Sequence, residues 1–483
     1  MRGGALVSGV RRSLPPKLVV SIVFVSAMFM NIMDATVVNV ALPTLSKSFG
    51  VPLASVSGVV TAYLVTLAVA MPASGWLGDR FGARTVMLAA IGLFTAASVL
   101  CGVATSLPAL IAFRGLQGIG SGIFVPVGMA MLFRTFPPAE RIRANRYLMV
   151  PTLIAPASGP IIGGALVSGL SWRWIFYVNL PVGIVALAFG LLFLPKGSEH
   201  PAGRFDLPGF LLAATGFPLF MYAISTGATD GWASPAVLGT LVPGVALLAG
   251  FIAAELAARE PMLQVRILGN RLFRVTTLQA TSAGAGFFGT LFLVPLVLQD
   301  GLGFSALHAG LSTFTEALGG MVGIQVTTRV YKQVGPRRLM IAGMAGTVCT
   351  IGGMAFAGPG SADWLIPVLM FFTGGCFGFA MGPSQTASMA TVSAAQTGHA
   401  STLLNTLRQA GGAAGVALLG TVLTTSHAGP ADLAGFRLAF GIAALLMLGA
   451  LAISAFVPDA DAAPSMRDDG PDKPFSEALP QAA

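Results

Sequence analysis

Stretches of about 20 apolar residues follow one another along almost the whole chain, each long enough for a helix to cross the roughly 30 Å hydrocarbon core of a bilayer. Inside a membrane the backbone must close its hydrogen bonds within helices or a barrel, so a chain written this way has few folds open to it. Fourteen spans are predicted, near 18–41, 54–77, 85–105, 108–133, 145–168, 173–195, 207–226, 236–257, 274–298, 306–328, 338–358, 364–389, 401–424 and 436–457. Composition agrees: 55% of the 483 residues are hydrophobic and 9% are charged, against roughly 25% charged in an ordinary soluble chain. The expected fold class is an all-α integral membrane protein.

An even number of spans puts both ends on one side, and the distribution of Lys and Arg in short loops says which. Of 27 basic residues, 22 fall on the side of the termini and 3 on the other, with Arg114 and Arg408 inside spans. Both termini are therefore expected in the cytoplasm, with the chain multi-pass in the inner membrane. The net charge of +9 then reports orientation, and no nucleic-acid partner is expected. Trp172 and Trp174, at the start of a span, are read as interfacial anchors. Cys101, Cys349 and Cys376 lie in apolar spans and read as small hydrophobes. Residues 1–17 form a cytoplasmic lead and 458–483 a polar, Pro-containing tail expected to be disordered.

No Gly-Lys pair occurs, so the phosphate cradle of a nucleotide-driven pump is missing. The longest charged loop between spans, KGSEHPAGRFD, is too short for a catalytic domain. The chain is not expected to be an enzyme or to carry a cofactor; an ion gradient is the remaining source of energy. An internal echo points to a transporter. GWLGDRFGARTVML after the second span and TRVYKQVGPRRLM after the tenth pair Gly82 with Gly335 and Arg84 with Arg337, eight spans apart. Repeated halves with a site between them are usual in secondary transporters.

The first of these loops carries a resemblance. Gly75, Leu77, Asp79, Arg80, Gly82 and Arg84 resemble the motif G-x-L-x-D-R-x-G-[RK]-[RK] of the major facilitator superfamily, with Ala83 departing from it. RGLQGIGSG (Arg114 to Gly122) is similar to the superfamily's second motif, and GPIIGG (Gly159 to Gly164) to the core of its antiporter motif. Ala155 and Pro156 stand where the antiporter motif has a glycine four residues before Gly159, which leaves symport open beside antiport. IMDATVVNVALP, WRWIFYVNLP, AREPMLQVRILGNRLFR and ASTLLNTLRQAGGAAGVALLG are similar to signatures of the fourteen-span drug:proton antiporters of EmrB/QacA type. The resemblance implies a six-helix half over 18–195, two additional helices with linkers over 196–272, and a second six-helix half over 273–457.

Charges inside a span are costly, about 2.5–3.5 kcal/mol at a helix centre on insertion scales, and usually face a wet cavity or a partner. At 1.5 Å per residue, Asp34 lies roughly 10 Å from the outer end of its span and Arg114 roughly 9 Å from the outer end of its own. The two can meet. Burial favours a neutral carboxyl and a guanidinium favours a charged one, so Asp34 is the candidate proton carrier and Arg114 its tuner; the bland alternative is a static pair that fixes helix register. The resemblance matches Asp34 to the acidic residue of the family's first-span motif and Arg114 to the arginine implicated in proton transfer. Glu316, near the midplane, is a candidate for attracting a cationic substrate or a second proton; otherwise it lines the cavity protonated or bridges to Gln325. Arg408 is placed about seven residues in, where its side chain can snorkel, or it serves gating. Asp79, Arg80 and Arg84 are read, by resemblance, as a conformational lock, and Gly159, Pro160, Gly163 and Gly164 as a hinge and leak barrier or simply close helix packing. Met-rich MFMNIM and the Phe pairs of FFGTLF and FFTGGCF are candidate walls of an adaptable pocket.

These residues predict a proton-coupled secondary transporter that exports apolar or cationic amphipathic compounds by alternating access. Its partners are lipid, protons and a small-molecule substrate, and a periplasmic adaptor subunit is left open. The alternatives are a dedicated exporter of one endogenous metabolite and a receptor or assembly partner that no longer transports.

Overall fold

The computed structural model describes residues 15–135, 155, 158–195, 205–258, 261–358, 360–392, 396–425 and 433–466. Among the described residues, helix falls in each of the fourteen predicted spans: α1 (Pro16–Phe49), α2 (Ser57–Phe81), α3 (Ala83–Val103), α4 (Leu107–Thr135), α5 (158–169), α6 (Asn179–Phe193), α7 (Leu207–Asp230), α8 (Pro235–Ala257), α9 (Arg271–Leu296), α10 (Ala306–Val334), α11 (Pro336–Met354), α12 (Ala362–Ser388), α13 (Thr397–Thr425) and α14 (Leu433–Ser454). Among the described residues, ten helical stretches, in α1–α4, α6–α9, α12 and α14, are long and apolar enough to cross a membrane by length and composition. The basic residues Arg2, Arg11, Arg12, Arg141, Arg143 and Arg146, Pro156, most of the loop KGSEHPAGRFD and the tail from 467 lie outside the described residues.

The helix pairing repeats. α1 packs on α4 and α6, α3 packs on the same two, and α2 packs on α3 and α4. Eight elements later α9 packs on α12 and α14, α11 packs on the same two, and α10 packs on α11 and α12. The echo in sequence falls on matching joints: Gly82 between α2 and α3 has φ +82° and Gly335 between α10 and α11 has φ +83°. That backbone region is strained for any residue with a Cβ, which is why glycine stands at both. The architecture is two six-helix groups with α7 and α8 inserted between them.

The groups meet along two seams, α2 against α13 and α5 against α10. At the second, a Cβ on Gly164 would lie 2.7 Å from the Ala306 carbonyl oxygen, and one on Gly310 would run into the Pro160 carbonyl. Polar links across the divide include Gln299 Nε2 donating to the Val40 carbonyl (2.8 Å), the Leu307 amide donating to Ser168 Oγ (3.3 Å) and an ion pair of Lys47 with Asp300 (3.1 Å). Each of these lies at the end remote from the termini.

Candidate functional site

Four helices converge on Asp34, and the glycines of RGLQGIGSG bring them there. A Cβ on Gly118 or Gly122 would strike α2 at the Tyr63 or Leu67 carbonyl, and one on Gly120 would lie 2.9 Å from the Ala90 carbonyl of α3. So α4 is pressed backbone-close against both neighbours. Arg114 and Gln117, one turn apart on α4, then reach α1.

Asp34 and Arg114 are completely buried, with 0% and 1% of their side chains exposed. Arg114 Nη1 donates to Asp34 Oδ2 at 2.5 Å and to Gln117 Oε1 at 2.7 Å, and Arg114 Nε donates to the Val59 carbonyl at 3.3 Å. Asp34 Oδ1 accepts from Gln117 Nε2 (2.8 Å) and from Asn179 Nδ2 of α6 (2.9 Å). Ser98 Oγ of α3 accepts from Gln117 Nε2 at 2.8 Å and from Asn179 Nδ2 at 3.5 Å, while donating to the Phe94 carbonyl at 2.9 Å. The guanidinium sits 4.3 Å from the centre of the Tyr63 ring and 5.9 Å from that of Phe176, within cation–π range. Tyr63 Oη in turn donates to Asn31 Oδ1 (2.7 Å) or Ser121 Oγ (2.9 Å), and Ser121 also bonds Asn31. Asn31 is half-buried, so this polar chain runs from the sealed ion pair towards a less buried surface.

Three donors, from Arg114, Gln117 and Asn179, converge on the Asp34 carboxyl group. The predicted meeting of Asp34 with Arg114 is present. α1 continues beyond the apolar span to Phe49, so Asp34 sits near the middle of a 34-residue helix. Gln117, Ser98, Asn179 and Tyr63 were not singled out from sequence. Gln117 had a signal, three residues after Arg114 on the same helix face; Ser98 and Asn179 come together only through the packing of α3, α6 and α1.

The other predicted residues are dispersed. Glu316, on α10, is partly exposed and has no hydrogen-bond or ion-pair partner among the described residues; Gln325, nine residues further along the helix, does not reach it. The Glu316 carbonyl lies where a Cβ on Gly374 would have to be, so α10 and α12 are in backbone contact at this level. Arg408 is half-buried on α13, eleven residues after the helix begins at Thr397, hence roughly 16 Å along it. Its Nη2 donates to Asn405 Oδ1 (3.0 Å), its Nε is buried without a partner, and its Cγ packs against Gly284 of α9. Arg84 donates through Nη2 to the Leu191 carbonyl at the end of α6 (2.7 Å), tying the α2–α3 joint to α6; Asp79 and Arg80 lie on the last turn of α2. Gly159 and Gly163 face α1 at Thr36 and Val37, and Pro160 and Gly164 face α10. Trp174 is 47% exposed, as an interfacial anchor should be, but Trp172 is 4% exposed and packs on Phe49 at 5.5 Å, capping the end of α1.

A two-fold repeated helical bundle with a buried, four-helix ion-pair network defines a polytopic membrane transporter. A sequence model of the Major Facilitator Superfamily matches residues 24–416, and the chain belongs to that family. It is 34% identical over 423 residues to a "Multidrug resistance protein B homolog" of Mycobacterium tuberculosis (strain ATCC 25618 / H37Rv), covering 86% of this chain and 78% of the relative. It is 36% identical over 349 residues to a "Putative multidrug resistance protein MdtD" of Serratia proteamaculans (strain 568), covering 72% of each. Among solved structures, a D-xylose-proton symporter superposes with a TM-score of 0.68 at 16% identity, over 92% of this chain and 99% of that one. A bacterial homolog of the human lysosomal transporter Spinster, inward-facing and unoccupied, gives 0.59 at 16% identity over 94% and 97%. At that identity the structures speak for the fold alone.

Proposed function

We propose that this transporter exports apolar or cationic amphipathic compounds in exchange for protons by alternating access, from the inner membrane with both termini in the cytoplasm. The observation that carries this reading is the sealed Asp34–Arg114 network: a titratable group buried at the junction of four helices, in a chain with no nucleotide cradle. Support also comes from relatives named for multidrug resistance and from the 22-to-3 division of basic residues. Energetics allow it. Each charge crossing 100 mV carries about 2.3 kcal/mol, and a tenfold concentration ratio requires about 1.4 kcal/mol.

The test compares retention of cationic and neutral dyes in cells with and without the protein, before and after a protonophore. Lower retention that collapses with the gradient is expected; equal retention of every compound, with the protein present in the membrane, overturns the reading.

A further inference from the structure

We propose that Asn179 is a positioning residue that works as an amide switch, donating to Asp34 while it is ionised and turning over to accept its proton when it is neutral. The inference rests on Asp34 being the proton carrier. Its starting observation is an orphan: Asn179 is 0% exposed, and no donor among the described residues reaches its Oδ1, although Nδ2 at the other end of the same amide bonds the carboxylate at 2.9 Å. A buried carbonyl oxygen without a partner is costly and asks for a state in which it has one.

Protonation of Asp34 supplies that state. The ionised carboxylate only accepts, and Arg114, Gln117 and Asn179 direct donors at it. A neutral carboxyl carries an O–H on one oxygen. If that oxygen is Oδ1, the new hydrogen points into the Nδ2 hydrogens of Gln117 and Asn179, and one amide must yield. Gln117 is locked, because its Oε1 already accepts from Arg114 at 2.7 Å and turning it would aim an NH2 at a guanidinium. Ser98 Oγ is committed to the Phe94 carbonyl. Asn179 alone among these can turn over without breaking a bond to its own oxygen. Rotation of its amide puts Oδ1 opposite the carboxyl, an arrangement repulsive towards a carboxylate and bonding towards O–H.

The charged and titratable groups facing Asp34 are Arg114 from α4, Tyr63 from α2 and Cys101 from α3; α6 presents Asn179. Since Asn179 is the first residue of α6, the switch exchanges the polarity of the bond that joins α6 to α1 each time Asp34 gains or loses its proton.

Infrared difference spectra of the full-length protein in liposomes, recorded between high and low pH with and without side-chain [13C]asparagine, test this. The Asp34 carboxyl band is assigned by its loss in Asp34→Asn, and the Asn179 carbonyl band by its loss in Asn179→Ala, or in Asn179→Ser should the alanine variant not accumulate. As the carboxyl band grows, the Asn179 carbonyl band is expected to move to lower frequency, and to stay still in Asp34→Asn. A growing carboxyl band beside an unmoved Asn179 band overturns the switch and leaves Asp34 as proton carrier; absence of any Asp34 carboxyl band across the pH range overturns both. In transport, Asn179→Ala is expected to slow gradient-driven efflux about tenfold, the equivalent of one hydrogen bond to a charged group. Asn179→Ser, whose hydroxyl both donates and accepts, is expected to recover most of that loss; equal rates for alanine and serine count against the switch.

Discussion

The two six-helix groups share a scaffold and differ in what fills it. Where α1, α3, α4 and α6 meet, the interior holds Asp34, Arg114, Gln117, Ser98 and Asn179. Where their counterparts α9, α11, α12 and α14 meet, Phe287 and Phe377 lie stacked at 3.8 Å and 7°, Thr373 bonds Thr350 at 2.8 Å, and Ser282 donates to the Leu446 carbonyl at 2.9 Å. The second group reaches the same helix pairing on apolar contact and hydroxyl bonds between helices, among them Ser384 Oγ donating to Gln279 Oε1 at 2.7 Å. A buried ion pair is therefore not what this fold needs in order to form, and helix register is a poor explanation for keeping one in the first group.

The strongest way to break the contrast is Asp34→Asn, which should abolish gradient-driven efflux while membrane levels stay near wild type; efflux at the wild-type rate would reduce the network to structure. Next in size is Arg114→Ala, which strands a buried carboxylate and should lower stability by about 3–5 kcal/mol, whereas Asp34→Leu combined with Arg114→Met should be near neutral. Unfolding in detergent measures both, and equal losses would mean that the pair does hold the first group together. In the second group the contact to disturb is glycine packing. Gly319→Val drives a side chain into the Phe371 carbonyl and should destabilise by about 1–3 kcal/mol, while Gly441→Ala, built into open space, should change nothing measurable. Smallest is Lys47→Met at the outer ion pair. With Lys47 72% exposed, a loss of about 0–1 kcal/mol is expected in the same unfolding assay.

Much of this was legible in the chain because a bilayer demands about 20 apolar residues per crossing, and that demand is written in local sequence. The meeting of Asp34 and Arg114 was legible too, from positions counted along each span. Hydropathy marks where hydrocarbon ends, whereas α1 continues through Ser46, Lys47 and Ser48 until Gly50, at φ +62°, turns the chain. The same holds at the other end of a helix: α13 begins at Thr397, before the apolar run does. Trp172 obeyed a composition rule for interfacial aromatics until packing on Phe49 buried it. The contributions of Ser98 and Asn179 could not be read at all. Each is a lone polar residue in an apolar stretch, and its partner is set by which helix lies alongside, a fact that no window of sequence contains.

The inserted helices leave the molecule with unlike flanks. α7 lies against both α2 and α13, and Thr421 of α13 donates to the Ile224 carbonyl at 3.2 Å, so one seam is backed by protein along its outer side. The α5–α10 seam closes glycine to backbone, with Gly164 and Gly310 at its centre. The two seams are thus unlike, one flanked by a helix that stands outside the repeat and the other closed by glycines against backbone. An assembly of two nearly equal halves thereby acquires a front and a back.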